Sequence, residues 1–244
     1  MRPDVRRRTN DARAPEPIVK AIILAAGRGE RMRPLTDNIP KALLVVGGKP
    51  LIVRHLEKLA AAGFGQIVIN CAHLGGLIEA ALGNGAHFGV DIVYSREEEA
   101  LETAGGIAYA LPLLGGAHFA AVNADVFSDY DYAQLARAVE RLQRQDGVAH
   151  LVLVNNPEHN PAGDFALREG EVALDGARFT FSGIAAYSTA MFERIARGTK
   201  VKLAPLLRET IAAGHVSGEH YAGRWCDIGT PARLAQLDRE LAAR

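Results

Sequence analysis

From Lys20 to Val154 short apolar runs alternate with stretches of helical spacing, and this alternation restricts the fold more than any other feature. Ala21-Ile22-Ile23-Leu24-Ala25 is a continuous apolar run that stops at glycines. Such a run suits a strand buried on both faces. Residues 51–62 carry Leu51, Ile52, His55, Leu56 and Leu59 at helical spacing, and Gly63 and Gly65 stop that helix. The pattern then repeats: strand 67–69 with helix 75–82, strand 91–94 with helix 104–111, strand 119–122 with helix 131–145, then strand 151–154. Strand and helix at this interval predict an α/β fold, a Rossmann-like, mostly parallel sheet flanked by helices.

Beyond Asn155 the grain changes. Residues 165–174 alternate about Glu169-Gly170, the signature of a hairpin, and 179–187 reads as a strand. Helices are expected at 189–196, 203–213 and 231–242. This predicts a smaller, β-rich lobe within one domain over 18–244. Residues 1–17 hold Arg6, Arg7, Arg8 and three prolines without a large apolar run, and are expected to form a flexible tail rather than a secretory signal.

Composition narrows the partners. Lys plus Arg (28) equals Asp plus Glu (28), so the net charge is zero. Nucleic-acid and membrane binders want a broad positive excess, so neither is expected as a partner. No apolar run approaches the ~18 residues of a membrane span. The two cysteines, Cys71 and Cys226, lie outside any metal spacing and read as reduced, buried small hydrophobes, which suits a cytoplasmic protein. A monomer is the working expectation.

In α/β sheets ligands collect at the carboxyl ends of the strands. The first strand is followed by Gly27-Arg28-Gly29-Glu30-Arg31-Met32. Glycines there let backbone N–H groups approach phosphate oxygens. The dinucleotide fingerprint fails at Met32, and Gly48-Lys49-Pro50 is not a Walker A loop. Arg28, Arg31, Arg33 and Lys41 form a local cation cluster on a neutral chain, either a solvated basic loop or a phosphate site.

The segment from Leu24 to Lys41 resembles the signature LAAGxGxRMxPLTxxxPK of the sugar-1-phosphate nucleotidylyltransferases. Gly47-Gly48-Lys49-Pro50-Leu51 and Asp227-Ile228-Gly229-Thr230 fit the same superfamily, and the resemblance runs from Lys20 to the C-terminus. Within it the chain is similar to the N-acetylmuramic acid 1-phosphate uridylyltransferases of cell-wall recycling. The strings Leu151-Val152-Leu153-Val154-Asn155-Asn156-Pro157, Gly163-Asp164-Phe165, Thr180-Phe181-Ser182-Gly183-Ile184 and Lys202-Leu203-Ala204-Pro205 carry that similarity. Two positions depart from the pattern: in Asn123-Ala124-Asp125, Ala124 stands where Gly usually precedes the aspartate, and Ala104 where Gly is common. Both bear on base preference rather than reaction type.

The resemblance implies a nucleotide-diphospho-sugar transferase fold whose later lobe binds the sugar. It implies transfer from a nucleoside triphosphate, UTP in the first reading, to a sugar 1-phosphate, with pyrophosphate released. Asp125 and Asp227 would share a Mg²⁺, which takes one or two carboxylates plus phosphate oxygens. Arg31 and Lys41 would hold phosphates, and with the two aspartates form the catalytic set. Leu24, Ala25, Ala26, Gly27, Gly29 and Gly105 would support the nucleotide. Glu102, Asn123, Asp164, Ser182, Gly183 and Lys202 are the substrate candidates, Lys202 for the sugar phosphate. His220 is as well explained as a structural polar residue, and Tyr221 and Trp225, alternating on one strand, as packing. Mannose 1-phosphate with GTP, or another hexose 1-phosphate, would use nearly the same loop. A non-catalytic nucleotide-sugar sensor is the alternative of another class.

Overall fold

The computed structural model describes residues 20–243. The tail expected over 1–17 lies outside the described residues. β1 (Lys20–Leu24) leads through the glycine loop and two 3-10 turns, Glu30–Met32 and Lys41–Leu43, to a ribbon of β2 (Val45–Val46) and β3 (Lys49–Pro50). Then come α1 (Leu51–Ala61), β4 (Gln66–Cys71), α2 (Gly75–Leu82), β5 (Asp91–Arg96), α3 (Glu102–Leu114), β6 (His118–Asn123), β7 (Val126–Ser128), α4 (Tyr132–Gln145) and β8 (Ala149–Val154). The remainder is β9 (Phe165–Arg168), β10 (Glu171–Ala173), β11 (Arg178–Ser188), α5 (Leu203–Ala212), β12 (Val216–Tyr221), β13 (Trp225–Asp227) and α6 (Pro231–Ala242).

The main sheet has the order β5-β4-β1-β6-β11-β8-β12-β10-β9. Its first four strands are parallel, as the alternation predicts. β11 then enters antiparallel between β6 and β8, while β12 runs parallel to β8. The sheet is therefore mixed, which corrects the expectation of a mostly parallel, Rossmann-like one. β9, β10 and β11 are joined by short connections, and these can only reverse the chain; a parallel return needs a dozen or more residues. The β9–β10 hairpin turns at Glu169 (φ 51°) and Gly170 (φ 87°), both left-handed as a two-residue hairpin turn demands. It is hydrogen-bonded to β12 and β11. The expected β-rich lobe is thus the far edge of the same sheet.

Adjacent residues of β1 serve opposite faces: Ile23 packs with Ile52, Leu56, Ile69 and Leu135, and Ile22 with Val68, Ile107, Phe119 and Leu151. That double coverage is why the run lacks a polar alternate. A third cluster of Met32, Val46, Leu51, Ile228 and Leu237 fastens the glycine-loop turn to β2, the start of α1, the residue after β13 and the middle of α6. The helix expected at 189–196 is a 3-10 turn, Thr189–Met191, continued by i→i+3 bonds from Ile195 N to Phe192 O and Thr199 N to Ala196 O. Ser188 Oγ accepts from Ala190 N, and Met191 and Phe192 are already buried, so further winding would gain little. Tyr221 and Trp225 fall on separate strands, β12 and β13, rather than one. Cys71 is buried, whereas Cys226 is half-buried. Among the described residues no helix is long and apolar enough to cross a membrane.

Candidate active site

A cleft of about 470 Å³ opens at the carboxyl ends of β1, β4 and β6, where Leu24 and Asn123 are the last residues of their strands and Asn70 the last but one. Leu24, Ala25, Ala26, Gly27 and Gly29 form one wall; Glu102, Thr103, Asn123, Asp125, Lys41 and Lys200 contribute the polar remainder. Gly29 is left-handed (φ 71°), and a Cβ there would lie 3.1 Å from Thr36 Cγ2 and 3.3 Å from Lys41 Cβ. Thr36 Oγ1 donates to Gly29 O at 2.9 Å and holds the turn closed. A Cβ at Gly27 would meet nothing within 4 Å, because that position faces open cleft. A smaller cavity of about 210 Å³ adjoins, lined by Gly29, Glu30, Arg31, Met32, Lys41 and Gly229. Arg31 thus lies beside the main cleft, with Lys41 bordering both spaces.

Lys41 Nζ hydrogen-bonds and ion-pairs with Asp125 Oδ2. The Lys41 side chain is only 13% exposed, against 35% for Asp125. Asp125 precedes β7, which pairs antiparallel with β13, setting Asp227 opposite Val126. Ile228 N donates to Asp125 O at 2.8 Å. Two aspartates a hundred residues apart in sequence are therefore neighbours on one ribbon. Asp227 Oδ1 accepts from Arg233 Nη1 at 2.6 Å and lies 2.8 Å from His159 Nε2. A Cβ at Gly229 would sit 2.1 Å from Arg233 Nη2, so glycine is what lets Arg233 reach Asp227.

The remaining substrate candidates fall elsewhere. Asp164 Oδ2 accepts from Phe181 N at 2.8 Å and from Asn160 Nδ2. Ser182 Oγ is buried, donating to Val152 O at 2.7 Å and accepting from Ile184 N. Gly183 (φ 76°) sits in the β11 bulge, and a Cβ there would lie 2.6 Å from Asn123 Nδ2. Lys202 is exposed at the N-cap of α5, outside the cleft lining. Gly105 is buried, and its missing Cβ faces Thr199 O at 2.3 Å instead of the cleft. Val201 O accepts from Ala104 N and Gly105 N, so the strap 199–201 caps the first turn of α3. That strap carries Lys200, not Lys202, to the cleft.

Sequence reasoning missed Asn70, Lys200, Glu97, Arg233 and His159. Asn70 is the penultimate residue of β4, so a search at the carboxyl ends of the strands would have found it. Glu97 is hidden in the run Glu97-Glu98-Glu99. It is 6% exposed; burial raises its pKa, opposed by hydrogen bonds from Leu101 N and Asn70.

The chain is 52% identical over 223 residues to N-acetylmuramate alpha-1-phosphate uridylyltransferase of Neisseria meningitidis serogroup B, covering 89% of this chain and 96% of that protein. It is 30% identical over 225 residues to mannose-1-phosphate guanylyltransferase of Mycobacterium tuberculosis, spanning 87% of this chain but 62% of that one. The fold resembles a structure described as a glucose-1-phosphate thymidylyltransferase of Bacillus anthracis in complex with sucrose (TM-score 0.80, 22% identity, 91% and 95% of the two chains). It also resembles HddC of Yersinia pseudotuberculosis complexed with GMP-PN (TM-score 0.73, 19% identity, 91% and 99%). The family model for nucleotidyl transferases matches residues 20–244, and the chain belongs to that family.

Proposed function

We propose that this chain is a sugar-1-phosphate nucleotidylyltransferase that joins UTP to N-acetylmuramic acid 1-phosphate, yielding the UDP-sugar and pyrophosphate. One observation carries the choice of substrates: the 52% identity to the Neisseria uridylyltransferase extends over nearly the whole of both chains. The mannose-1-phosphate guanylyltransferase is more distant and considerably longer than the matched region.

The chemistry asks little acid–base work of the protein. An oxygen of the sugar phosphate attacks the α-phosphorus, the α–β bridging P–O bond breaks, and the electron pair leaves with pyrophosphate. The second pKa of a phosphate monoester is about 6, so the nucleophile is already ionised at neutral pH. What remains is to bring two anions together and to offset charge on the leaving group. In this reading the Ala25–Gly29 backbone seats the phosphates, Lys41 lies between the two substrates' phosphates, and Arg31 in the adjoining cavity faces the departing pyrophosphate. Asp164, Ser182, Gly183 and Lys202 are not needed to touch substrate; Lys200 supplies a cation from the strap.

A divalent ion fits the ribbon. The donor set is two carboxylates, and the bonds from Lys41 and from Arg233 and His159 address one oxygen of each, Asp125 Oδ2 and Asp227 Oδ1. Among the described residues no group of three or more His, Cys, Asp and Glu forms a complete cage. Two carboxylates with phosphate and water completing the shell is what Mg²⁺ prefers. When bound, such an ion would neutralise phosphate charge and polarise the α-phosphate. Asp125 and Asp227 would hold it.

Pyrophosphate release, crossing UTP, GTP, CTP and dTTP against N-acetylmuramic acid, N-acetylglucosamine, glucose and mannose 1-phosphates, tests the reading. Release is expected with UTP and N-acetylmuramic acid 1-phosphate. Selectivity for GTP with mannose 1-phosphate would replace the substrates and keep the mechanism. Silence of folded protein across the matrix would overturn both.

A further inference from the structure

Beneath the glycine loop lies a buried polar bracket that none of the proposed catalytic steps uses. Ala25 N donates to Asn70 Oδ1 at 2.7 Å. Asn70 Nδ2 donates to Glu97 Oε1 at 2.8 Å, and Leu101 N donates to Glu97 Oε2 at 2.9 Å. Asn70 and Glu97 are 3% and 6% exposed. Three hydrogen bonds thus connect the end of β1, the end of β4, the residue after β5 and the entry to α3. Gly106 makes room for them: a Cβ there would stand 2.7 Å from Asn70 Nδ2 and 2.8 Å from Glu97 Oε1.

The chemistry of the bracket gives it direction. An amide has one accepting and one donating end. A carboxylate can only accept, so Glu97 compels Asn70 to turn Nδ2 toward it and to offer Oδ1 to Ala25. Leu101 N takes the other carboxylate oxygen, so neither acceptor can be lost without leaving a buried donor unpaired. Ala25 and Asn70 both line the cleft, whereas Glu97 does not. Glu97 is connected to the cleft wall through its hydrogen bond from Asn70.

We propose that Glu97 is a positioning residue that, through Asn70, locks the Ala25–Gly29 backbone in the conformation that receives the nucleoside triphosphate. This rests on the reading of the cleft as a nucleotide site. It makes nucleotide affinity depend on a carboxylate outside the cleft lining, and ties the loop to the Leu101–Glu102 entry on the opposite wall. Glu102 itself is held left-handed (φ 61°) at that entry, a strained position for a residue other than glycine.

The test is a double-mutant cycle on the full chain. It uses Glu97→Gln, Asn70→Ala and the double variant, with thermal unfolding to establish folding. KM for the triphosphate and KM for the sugar phosphate are measured separately. The amide introduced at position 97 offers a single acceptor oxygen for two donors, so Glu97→Gln is expected to raise the triphosphate KM about fivefold. Asn70→Ala should raise it about tenfold. The sugar-phosphate KM should stay within about twofold in both. If Glu97 works through Asn70, the double variant is no worse than Asn70→Ala alone, because coupled residues are not additive. Multiplying effects, or an unchanged triphosphate KM in folded Glu97→Gln, would overturn the proposal. Failure of the underlying reading looks different: the wild-type protein itself would show no saturable dependence on any triphosphate.

Discussion

The two halves of the main sheet treat their polar residues differently. At the end of β6 polar groups open into the cleft: Asn123 and, two residues on, Asp125 line it, whereas the Asn70 amide of β4 lines it while bonded to Ala25 N and Glu97. In the half built from β8 to β12, the candidates are consumed internally. Ser182 bonds Val152 and Ile184, and Asp164 bonds Phe181 and Asn160. Parallel strands end together at one edge, where the last residues have no next strand to pair with. The antiparallel β11 passes through the middle of the sheet, and its bulge at 182–184 needs a side chain to take up the freed backbone groups. A polar residue at the end of a parallel strand is thus a stronger indicator of a ligand than one inside a bulge.

Substitutions can break this contrast. The largest effect is expected at the ribbon: Asp125→Asn or Lys41→Ala should lower turnover about 10²–10³-fold without unfolding, the range for losing one preorganised charged group. Steady-state rates alongside circular dichroism check this, and a near-normal rate in either would remove that residue from the mechanism.

Next comes a group that reports stability rather than turnover. His55 is buried against Tyr132, with Nδ1 2.7 Å from the phenol oxygen. Burial, and then the nearby Lys58, lower its pKa from 6.5 to about 4. The folded state therefore keeps the imidazole neutral while the unfolded chain protonates it. Stability from this group is complete above pH 6.5 and is lost as the pH falls toward 4, by up to about 3 kcal/mol at 1.36 kcal/mol per pKa unit. Denaturant unfolding of the wild type and His55→Gln across that window should show a shallower pH dependence in the variant. Parallel curves would refute the assignment.

Ser182→Ala sharpens the contrast from the other side. It should destabilise by about 1–3 kcal/mol, the penalty of an unpaired buried group, while leaving the sugar-phosphate KM within about twofold. A large KM change in a stable variant would return Ser182 to the sugar pocket. The smallest effect separates two lysines. Lys200→Ala should raise a substrate KM a few-fold, less so at high salt, as expected for an exposed cation. Lys202→Ala should leave both KM values unchanged.

These expectations also mark what the sequence can disclose. The parallel half was legible because each of its strands is a local apolar run ending in glycine or a polar residue, and because Leu24–Lys41 is a long contiguous signature. Asp125 and Asp227 were placed together by resemblance alone; no local pattern foretells that β7 and β13, three residues each, would pair. Gly105 invites a reading as a nucleotide contact, because sequence shows that a side chain is missing and not what fills its place, here the Thr199 carbonyl. Lys202 and Lys200 are indistinguishable until Val201 is seen clipped to the start of α3. Glu97 was invisible because burial, not residue type, separates it from its two acidic neighbours.

Pyrophosphate release from UTP and N-acetylmuramic acid 1-phosphate, by wild type and Asp125→Asn side by side, tests the central claim most directly. The account predicts release by the wild type with Mg²⁺ and a rate near background for a variant that melts at the same temperature. Equal rates from the two proteins would contradict it, because transfer would then be occurring without the ribbon at the mouth of this cleft.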